Sequence, residues 1–155
     1  MNLPQDFCLK MQNLLKDEYD DFIKGYDKEN YFSLRINTLK ADSDDEKIKN
    51  LFCEEKVRWA ENGYYYSRRQ RPGKHPYHHA GAYYIQEASA MAPVARAEIQ
   101  KGDRVLDLCA APGGKSTGAA AYLDSTGLLV SNEIVPGRAK ILSGNIERMG
   151  VKNSV

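Results

Sequence analysis

The apolar residues near the start of the chain follow a helical period and then change to a strand-like alternation. Phe7, Met11, Leu14 and Leu15 recur at spacings of three and four residues, which predicts an amphipathic helix packed on a core. Apolar residues alternate over Tyr31–Leu39, which predicts a β-strand. The chain therefore begins with a predicted helix and continues into a predicted strand.

The next stretch predicts a small α+β unit. Ser43 and Glu46 have the spacing of a capping box and predict a helix start just before an apolar face. Val57–Trp59 and Gly63–Tyr66 are predicted as two short strands. The prolines and glycine of Arg68–Ala80 predict a loop.

The second half of the chain alternates between helical and strand-like patterns. Mostly apolar short segments fit buried parallel strands, and the segments between them fit helices. The predicted order is helix Gln86–Ile99, strand Arg104–Cys109, helix Lys115–Leu123, strand Gly127–Glu133, helix Pro136–Met149 and the beginning of a third strand at Val151–Val155. We therefore expect an α/β protein with two domains, residues 1–80 and residues 81–155.

Composition excludes several protein classes. Of 155 residues, 42% are hydrophobic and 28% are charged, which is typical of a globular protein. No apolar run reaches the roughly 18 residues that cross a membrane, and the N-terminus has no secretory signal pattern. The three cysteines form no metal-binding pattern, so we expect reduced thiols, no bound metal and a cytoplasmic protein.

Positive charge is concentrated in one loop. Residues 1–62 hold fourteen acidic and ten basic residues, so a broad phosphate-binding face there is not expected beyond a few bases such as Arg35, Lys40 and Lys56. Residues 63–86 contain four cations and no acid, with tyrosines and histidines beside them. This mixture is typical of RNA binding, because cations meet phosphates and rings stack on unpaired bases. The four candidate RNA-binding residues are Arg68, Arg69, Arg71 and Lys74.

Two other interpretations of this loop remain open at the level of sequence. The loop could be a solvated segment whose tyrosines pack beneath it. Metal binding by His75, His78 and His79 has weaker support, because the three lie in a proline-broken loop without a cysteine.

The segment after the first strand of the second half has the pattern of a nucleotide-type cofactor loop. Small residues follow Asp107, where a backbone must approach a ligand closely, and a helix begins near Gly114 with its free N–H groups. Glu133 lies twenty-six residues after Asp107, where a carboxylate can accept the hydroxyls of a ribose. The candidate cofactor-binding residues of the loop are Cys109, Ala110, Ala111, Pro112, Gly113, Gly114 and Lys115.

Four interpretations of this loop compete. A phosphate-binding P-loop requires glycine where Cys109 stands, and a nicotinamide fingerprint requires more glycines than Gly113 and Gly114. A turn that binds nothing is the third interpretation. S-adenosylmethionine is the fourth, and it fits because its sites tolerate small residues other than glycine and need no diphosphate cradle.

The motif Asp107–Thr117 resembles the first cofactor motif of the RNA cytosine-C5 methyltransferases, the NOL1/NOP2/Sun family. Tyr84–Met91 resembles the motif before it, and Asn132–Arg138 resembles the second cofactor motif. The layout is closest to bacterial members that modify small-subunit ribosomal RNA. The resemblance implies a Rossmann-like S-adenosylmethionine-dependent methyltransferase sheet, present in part, preceded by a small α+β RNA-binding-type domain.

The resemblance also implies roles for individual residues. Cys109–Lys115 would wrap the methionine part and adenosine edge of S-adenosylmethionine, and Glu133 would hold the ribose hydroxyls. Arg138 would brace Glu133 or the loop, although a solvated helix face is the alternative for this residue. The expected reaction is methylation of cytosine C5 in RNA, with 16S ribosomal RNA as the expected substrate.

No catalytic residue is expected within this chain. In the family, the nucleophilic cysteine and its partner lie in later motifs, so we expect them beyond Val155. Cys109 lies inside the cofactor loop, and Cys8 and Cys53 fall on predicted helices. We therefore expect an N-terminal piece that is inactive alone, and the alternative is a non-catalytic RNA-binding or ribosome-assembly module that keeps a cofactor-like loop.

Overall fold

The computed structural model describes residues 3–155, which form two compact units, one ending at Asn30 and one spanning Tyr31–Val155. The first unit consists of helix α1 (Gln5–Leu15), a 3-10 turn (Lys16–Glu18) and helix α2 (Tyr19–Gly25). The ring of Phe7 contacts those of Phe22 and Tyr26, with centroids 6.3 and 6.2 Å apart. The predicted N-terminal helix is confirmed, but its predicted packing on a core is wrong, because no residue of α1 is buried and Leu14 is 69% exposed.

The second unit begins with a three-stranded antiparallel sheet in the order β2–β1–β3. Its central strand is β1 (Phe32–Ile36), flanked by β2 (Gly63–Tyr66) and β3 (Tyr83–Ile85), and helix α3 (Glu46–Phe52) packs against it. Leu34 lies opposite Tyr64 on one side and Ile85 on the other. The apolar core of this sheet consists of Leu34, Ile36, Ile48, Phe52, Tyr64 and Tyr83.

Three sequence predictions for this region need correction. Asp45, not Ser43, caps α3, because its side chain accepts a hydrogen bond from the Ile48 N–H at 3.1 Å. Val57–Trp59 is not a strand, because the Ala60 N–H bonds back to the Val57 carbonyl and closes a turn. The predicted loop Arg68–Ala80 contains a 3-10 turn (Pro72–Lys74) and a short helix α4 (Pro76–His79).

The second part of this unit has the predicted alternation of helices and parallel strands. The elements are α5 (Ala88–Arg96), β4 (Arg104–Asp107), α6 (Gly114–Leu123), β5 (Leu128–Ser131) and α7 (Pro136–Met149). Strands β4 and β5 pair in parallel, and a parallel bridge joins Leu129 to Ser154, where a third strand was predicted. The α/β class is confirmed.

The antiparallel sheet extends beyond the predicted domain boundary. Its strand β3 begins at Tyr83 and pairs with β1, whereas the boundary was expected near residue 80. That boundary stays a prediction. Among residues 3–155, no helix is long and apolar enough to span a lipid bilayer.

Candidate functional site

The predicted cofactor loop joins the end of β4 to the start of α6. Ala110 and Ala111 are buried, whereas the Cys109 side chain is exposed. Gly113 has a φ of 109°, and its N–H closes a turn on the Ala110 carbonyl at 2.7 Å. A Cβ atom there would lie 3.2 Å from Leu142 Cδ1, so both backbone conformation and packing favour glycine.

Asp107 connects the end of β4 to the loop and to α6. Its Oδ1 accepts a hydrogen bond from the Cys109 N–H at 3.3 Å, and its Oδ2 accepts one from the buried Ser116 hydroxyl at 2.7 Å. The carboxylate therefore fixes both ends of the turn.

Glu133 and Arg138 meet the same loop from β5 and α7. The Glu133 side chain is only 4% exposed, and its Oε2 lies 3.3 Å from Arg138 Nη1. Arg138 Nη2 donates a hydrogen bond to the Ala111 carbonyl at 2.8 Å. Glu133 Oε1 also accepts from the Val135 N–H at 3.0 Å, so the carboxylate is held at the edge of the loop.

The loop is further held through its carbonyl groups by residues for which the sequence predicted no such role. The Pro112 carbonyl accepts hydrogen bonds from the Tyr84 hydroxyl at 3.3 Å and from Asn145 Nδ2 at 2.8 Å. The first carbonyl of α6, on Gly114, accepts from Arg35 Nη1 at 2.9 Å. Lys115 points outward and is exposed.

Arg35 corrects a sequence expectation, because it is buried and unavailable to phosphates, whereas the exposed Lys40 is already engaged by carbonyl groups. Arg35 is 5% exposed, and burial lowers the pKa of its guanidinium to about 10, so it remains charged at neutral pH. Lys40 Nζ donates hydrogen bonds to the carbonyls of Ala80 and Arg148, both at 2.8 Å. Gly118 in α6 leaves room for the Arg35 guanidinium, because a Cβ atom there would overlap Arg35 Nη1.

The four cations predicted to bind RNA lie on the segment between β2 and β3, which is separate in sequence from the cofactor loop. We call residues 67–80 the basic loop. Within residues 3–155, the side chains of these four cations make no hydrogen bond or ion pair, and all are exposed: Arg68, Arg69, Arg71 and Lys74. One exposed ring lies beside the same sheet, since Tyr31, just before β1, contacts the half-buried Tyr65 of β2 with centroids 5.7 Å apart.

The histidines of the basic loop have structural contacts. His75 Nδ1 accepts a hydrogen bond from the Tyr77 N–H at 3.2 Å and caps α4. In the described part of the chain, no three His, Cys, Asp or Glu side chains are grouped as they would be around a metal ion.

Burial raises the pKa of the Cys53 thiol to about 11.

Comparison with known proteins extends over both halves of the chain. A family model described as the N-terminal domain of 16S rRNA methyltransferase RsmF matches residues 3–88, and one described as 16S rRNA methyltransferase RsmB/F matches residues 94–155. The Ribosomal RNA small subunit methyltransferase F of Vibrio cholerae serotype O1 is 38% identical over 164 residues, which cover 99% of this chain and 35% of the relative. The chain thus spans about a third of the length of the curated relatives it matches.

Solved structures agree on the fold. A methyltransferase homolog protein from Pyrococcus horikoshii has a TM-score of 0.85 and 26% identity, covering 99% of this chain and 52% of that one. NSun6 from Pyrococcus horikoshii, solved with SFG, has a TM-score of 0.83 and 17% identity over 98% of this chain and 64% of its own. The predicted methyltransferase fold is confirmed.

Proposed function

This chain belongs to the 16S rRNA methyltransferase RsmF family, and we propose that it forms the cofactor-binding part of an S-adenosylmethionine-dependent ribosomal RNA methyltransferase. One observation carries this proposal. The carboxylate of Glu133, at the end of β5, is joined through Arg138 to Ala111 in the small-residue loop at the end of β4. A carboxylate beside such a loop is how Rossmann-like folds bind a ribose.

The residues of the loop fit S-adenosylmethionine in size and polarity. Small side chains at Ala110, Ala111 and Gly113 let the cofactor approach the backbone, with Cys109 and Lys115 at the two ends of the loop. Glu133 would accept the ribose hydroxyls, and Arg138 would hold that carboxylate in place. When bound, S-adenosylmethionine would supply the electrophilic methyl group.

The substrate that we propose is cytosine C5 in 16S ribosomal RNA. This carbon is a poor nucleophile, so a cysteine thiolate would first add to C6 of the base. We assign that thiolate to the part of the relatives that this chain does not cover, because Cys109 belongs to the loop and Cys53 is half-buried with a raised pKa. The chain alone is then expected to be inactive.

The RNA-binding part of the proposal rests on the basic loop. Arg68, Arg69, Arg71 and Lys74 are exposed and have no protein partner in the described chain, and the exposed ring of Tyr31 would be available for stacking. Proteins commonly bind unpaired RNA with cationic side chains that contact phosphates and aromatic rings that stack on bases. A cytoplasmic location, where ribosomal RNA and reduced thiols occur together, completes the proposal.

Titration calorimetry tests the cofactor. S-adenosylmethionine should bind the chain weakly, and Glu133→Gln should raise its Kd about tenfold, since a charge-assisted hydrogen bond is weakened. Glu147→Gln removes the same charge from an exposed position on α7 and should leave the Kd unchanged. Binding of ATP without binding of S-adenosylmethionine would contradict the proposal.

A methyl-transfer assay tests the assignment of the nucleophile. Incubation of the chain with labelled S-adenosylmethionine and cytosine-containing RNA should give no labelled RNA. The full-length protein serves as the positive control. Turnover by the 155-residue chain would mean that a group within it can activate the base.

A further inference from the structure

The ring of Tyr84, in β3, lies close to two guanidinium groups next to the cofactor loop. The guanidinium carbons of Arg35 and Arg148 lie 5.8 and 5.6 Å from its centroid. Its hydroxyl donates a hydrogen bond to the Pro112 carbonyl at 3.3 Å. One aromatic side chain therefore connects two cations to the middle of the loop.

Arg35 reaches from β1 to the first turn of α6. Its Nη1 donates to the Gly114 carbonyl at 2.9 Å, and its Nη2 donates to Thr117 Oγ1 at 2.8 Å. The Thr117 hydroxyl in turn donates to the Gly113 carbonyl at 2.7 Å. Gly118 leaves the space that the guanidinium occupies.

Arg148, on α7, connects the basic loop to the cofactor loop. Its Nη1 donates to the His78 carbonyl at 2.6 Å, and its Nη2 donates to Asn145 Oδ1 at 3.1 Å. That contact orients the Asn145 amide, whose Nδ2 donates to the Pro112 carbonyl at 2.8 Å. Two routes from Arg148, through Asn145 and through Tyr84, thus end on the same carbonyl.

The burial of these two guanidinium groups is unfavourable in desolvation energy, so packing alone does not explain their presence. Within residues 3–155, neither Arg35 nor Arg148 makes an ion pair with a carboxylate, although Arg35 is buried and Arg148 is half-buried. Burying a guanidinium against carbonyls and a ring costs desolvation that an apolar side chain would avoid. What the guanidinium provides instead is direction, since its donors have a fixed geometry.

We infer that Arg35, Tyr84 and Arg148 are positioning residues that fix the backbone of the cofactor loop from the antiparallel sheet and from the end of the basic loop. This inference rests on the proposed cofactor site. It means that the affinity for S-adenosylmethionine depends on three side chains whose contacts run to the loop carbonyls. The same contacts give the RNA-binding segment a connection to the methyl-donor site.

Hydrogen exchange and calorimetry on the 155-residue chain test this inference. Arg148→Met and Tyr84→Phe should speed amide exchange in residues 108–118 but not in β2, and Arg148→Met should raise the Kd for S-adenosylmethionine about tenfold. Arg148→Lys keeps a donor and should recover part of the affinity. Arg35→Met should act like Arg148→Met. Ile48→Ala is the control, because it weakens the antiparallel core without touching the loop.

The two measurements separate this inference from the proposed function. If the unaltered chain does not bind S-adenosylmethionine, the proposal that this molecule is the cofactor is wrong. The comparison of amide exchange rates between the variants and the unaltered chain still decides whether these residues position the loop. Unchanged exchange in residues 108–118 would overturn the inference. Equal acceleration in residues 108–118 and in β2, or an unchanged Kd in Arg148→Met when the unaltered chain binds, would overturn it as well.

Discussion

The cofactor loop and the basic loop both follow strands, but they are held in opposite ways. In the cofactor loop, the carbonyls are hydrogen-bonded while the thiol of Cys109 is exposed. The bonded carbonyls are those of Leu108, Ala110, Ala111, Pro112, Gly113 and Gly114. In the basic loop, short helical turns organise the backbone while the cationic side chains extend into solvent.

This difference matches two kinds of ligand. A small cofactor that contacts backbone needs a loop whose geometry is fixed before binding, because ordering a loop on binding costs affinity. A nucleic acid backbone is recognised mainly by its charge, and long cationic side chains can adapt to it without a fixed loop conformation. The cofactor loop thus has a hydrogen-bonded backbone, and the basic loop has unpaired cationic side chains. Substitutions in one loop should therefore leave ligand binding by the other unchanged.

The largest expected effect concerns the thiols. At pH 8, the raised pKa of Cys53, about 11 against an ordinary 9.0, lowers its thiolate fraction about 100-fold relative to an ordinary thiol. In a Cys8→Ser background, iodoacetamide should therefore modify the exposed Cys109 first. Peptide mass spectrometry measures both rates. S-adenosylmethionine should slow the reaction of Cys109 alone, and equal protection of both thiols would mean that the cofactor acts elsewhere.

The second prediction concerns the backbone of the cofactor loop. Gly113→Ala should destabilise the chain by about 2 kcal/mol, because a side chain is forced into a positive φ and against Leu142. Gly144→Ala is the matched control in α7, where the added methyl group meets no atom within 4 Å beyond its chain neighbours and the backbone of its own helix, and it should stabilise by up to about 1 kcal/mol. Urea unfolding measures both. Equal effects would mean that the loop tolerates other conformations.

Local patterns were sufficient to predict the helices and parallel strands around the site. The helix Pro136–Met149 was predicted with its observed bounds, and it begins at a proline and is followed by Gly150 in a left-handed conformation. Short-range alternatives were harder: Ser43 and Asp45 both have capping side chains, and only the folded backbone decides between them. Strand β3 was not predicted, because its three residues are too few for an alternating pattern.

The contacts that hold the site could not be predicted from spacing. The Arg35–Gly114 hydrogen bond joins residues 79 positions apart, and the Asn145–Pro112 bond joins residues 33 positions apart. Both depend on how sheets and helices pack in three dimensions, which no local period encodes. The charge of Arg35 pointed to a phosphate contact, whereas burial turned it into a structural donor.

The smallest expected effect on the fold, and the most specific for function, comes from the basic loop. Replacing Arg68, Arg69 and Arg71 by alanine should change the unfolding free energy by less than about 0.5 kcal/mol, because the three side chains are exposed. RNA affinity of the full-length protein should fall, and the slope of log K against log salt should shrink by about 2. Filter binding at several salt concentrations measures this slope.

The control for this variant removes the same charge from elsewhere. Arg96, Lys140 and Lys152 are exposed and lie outside the basic loop, so their replacement by alanine should alter the salt slope less. Cofactor affinity should stay unchanged in both triple variants, because neither set holds a carbonyl of the cofactor loop. Equal salt slopes in the two triple variants would mean that RNA binding depends on the net charge of the chain and not on the basic loop. The difference between the cofactor loop and the basic loop would then not reflect two kinds of ligand.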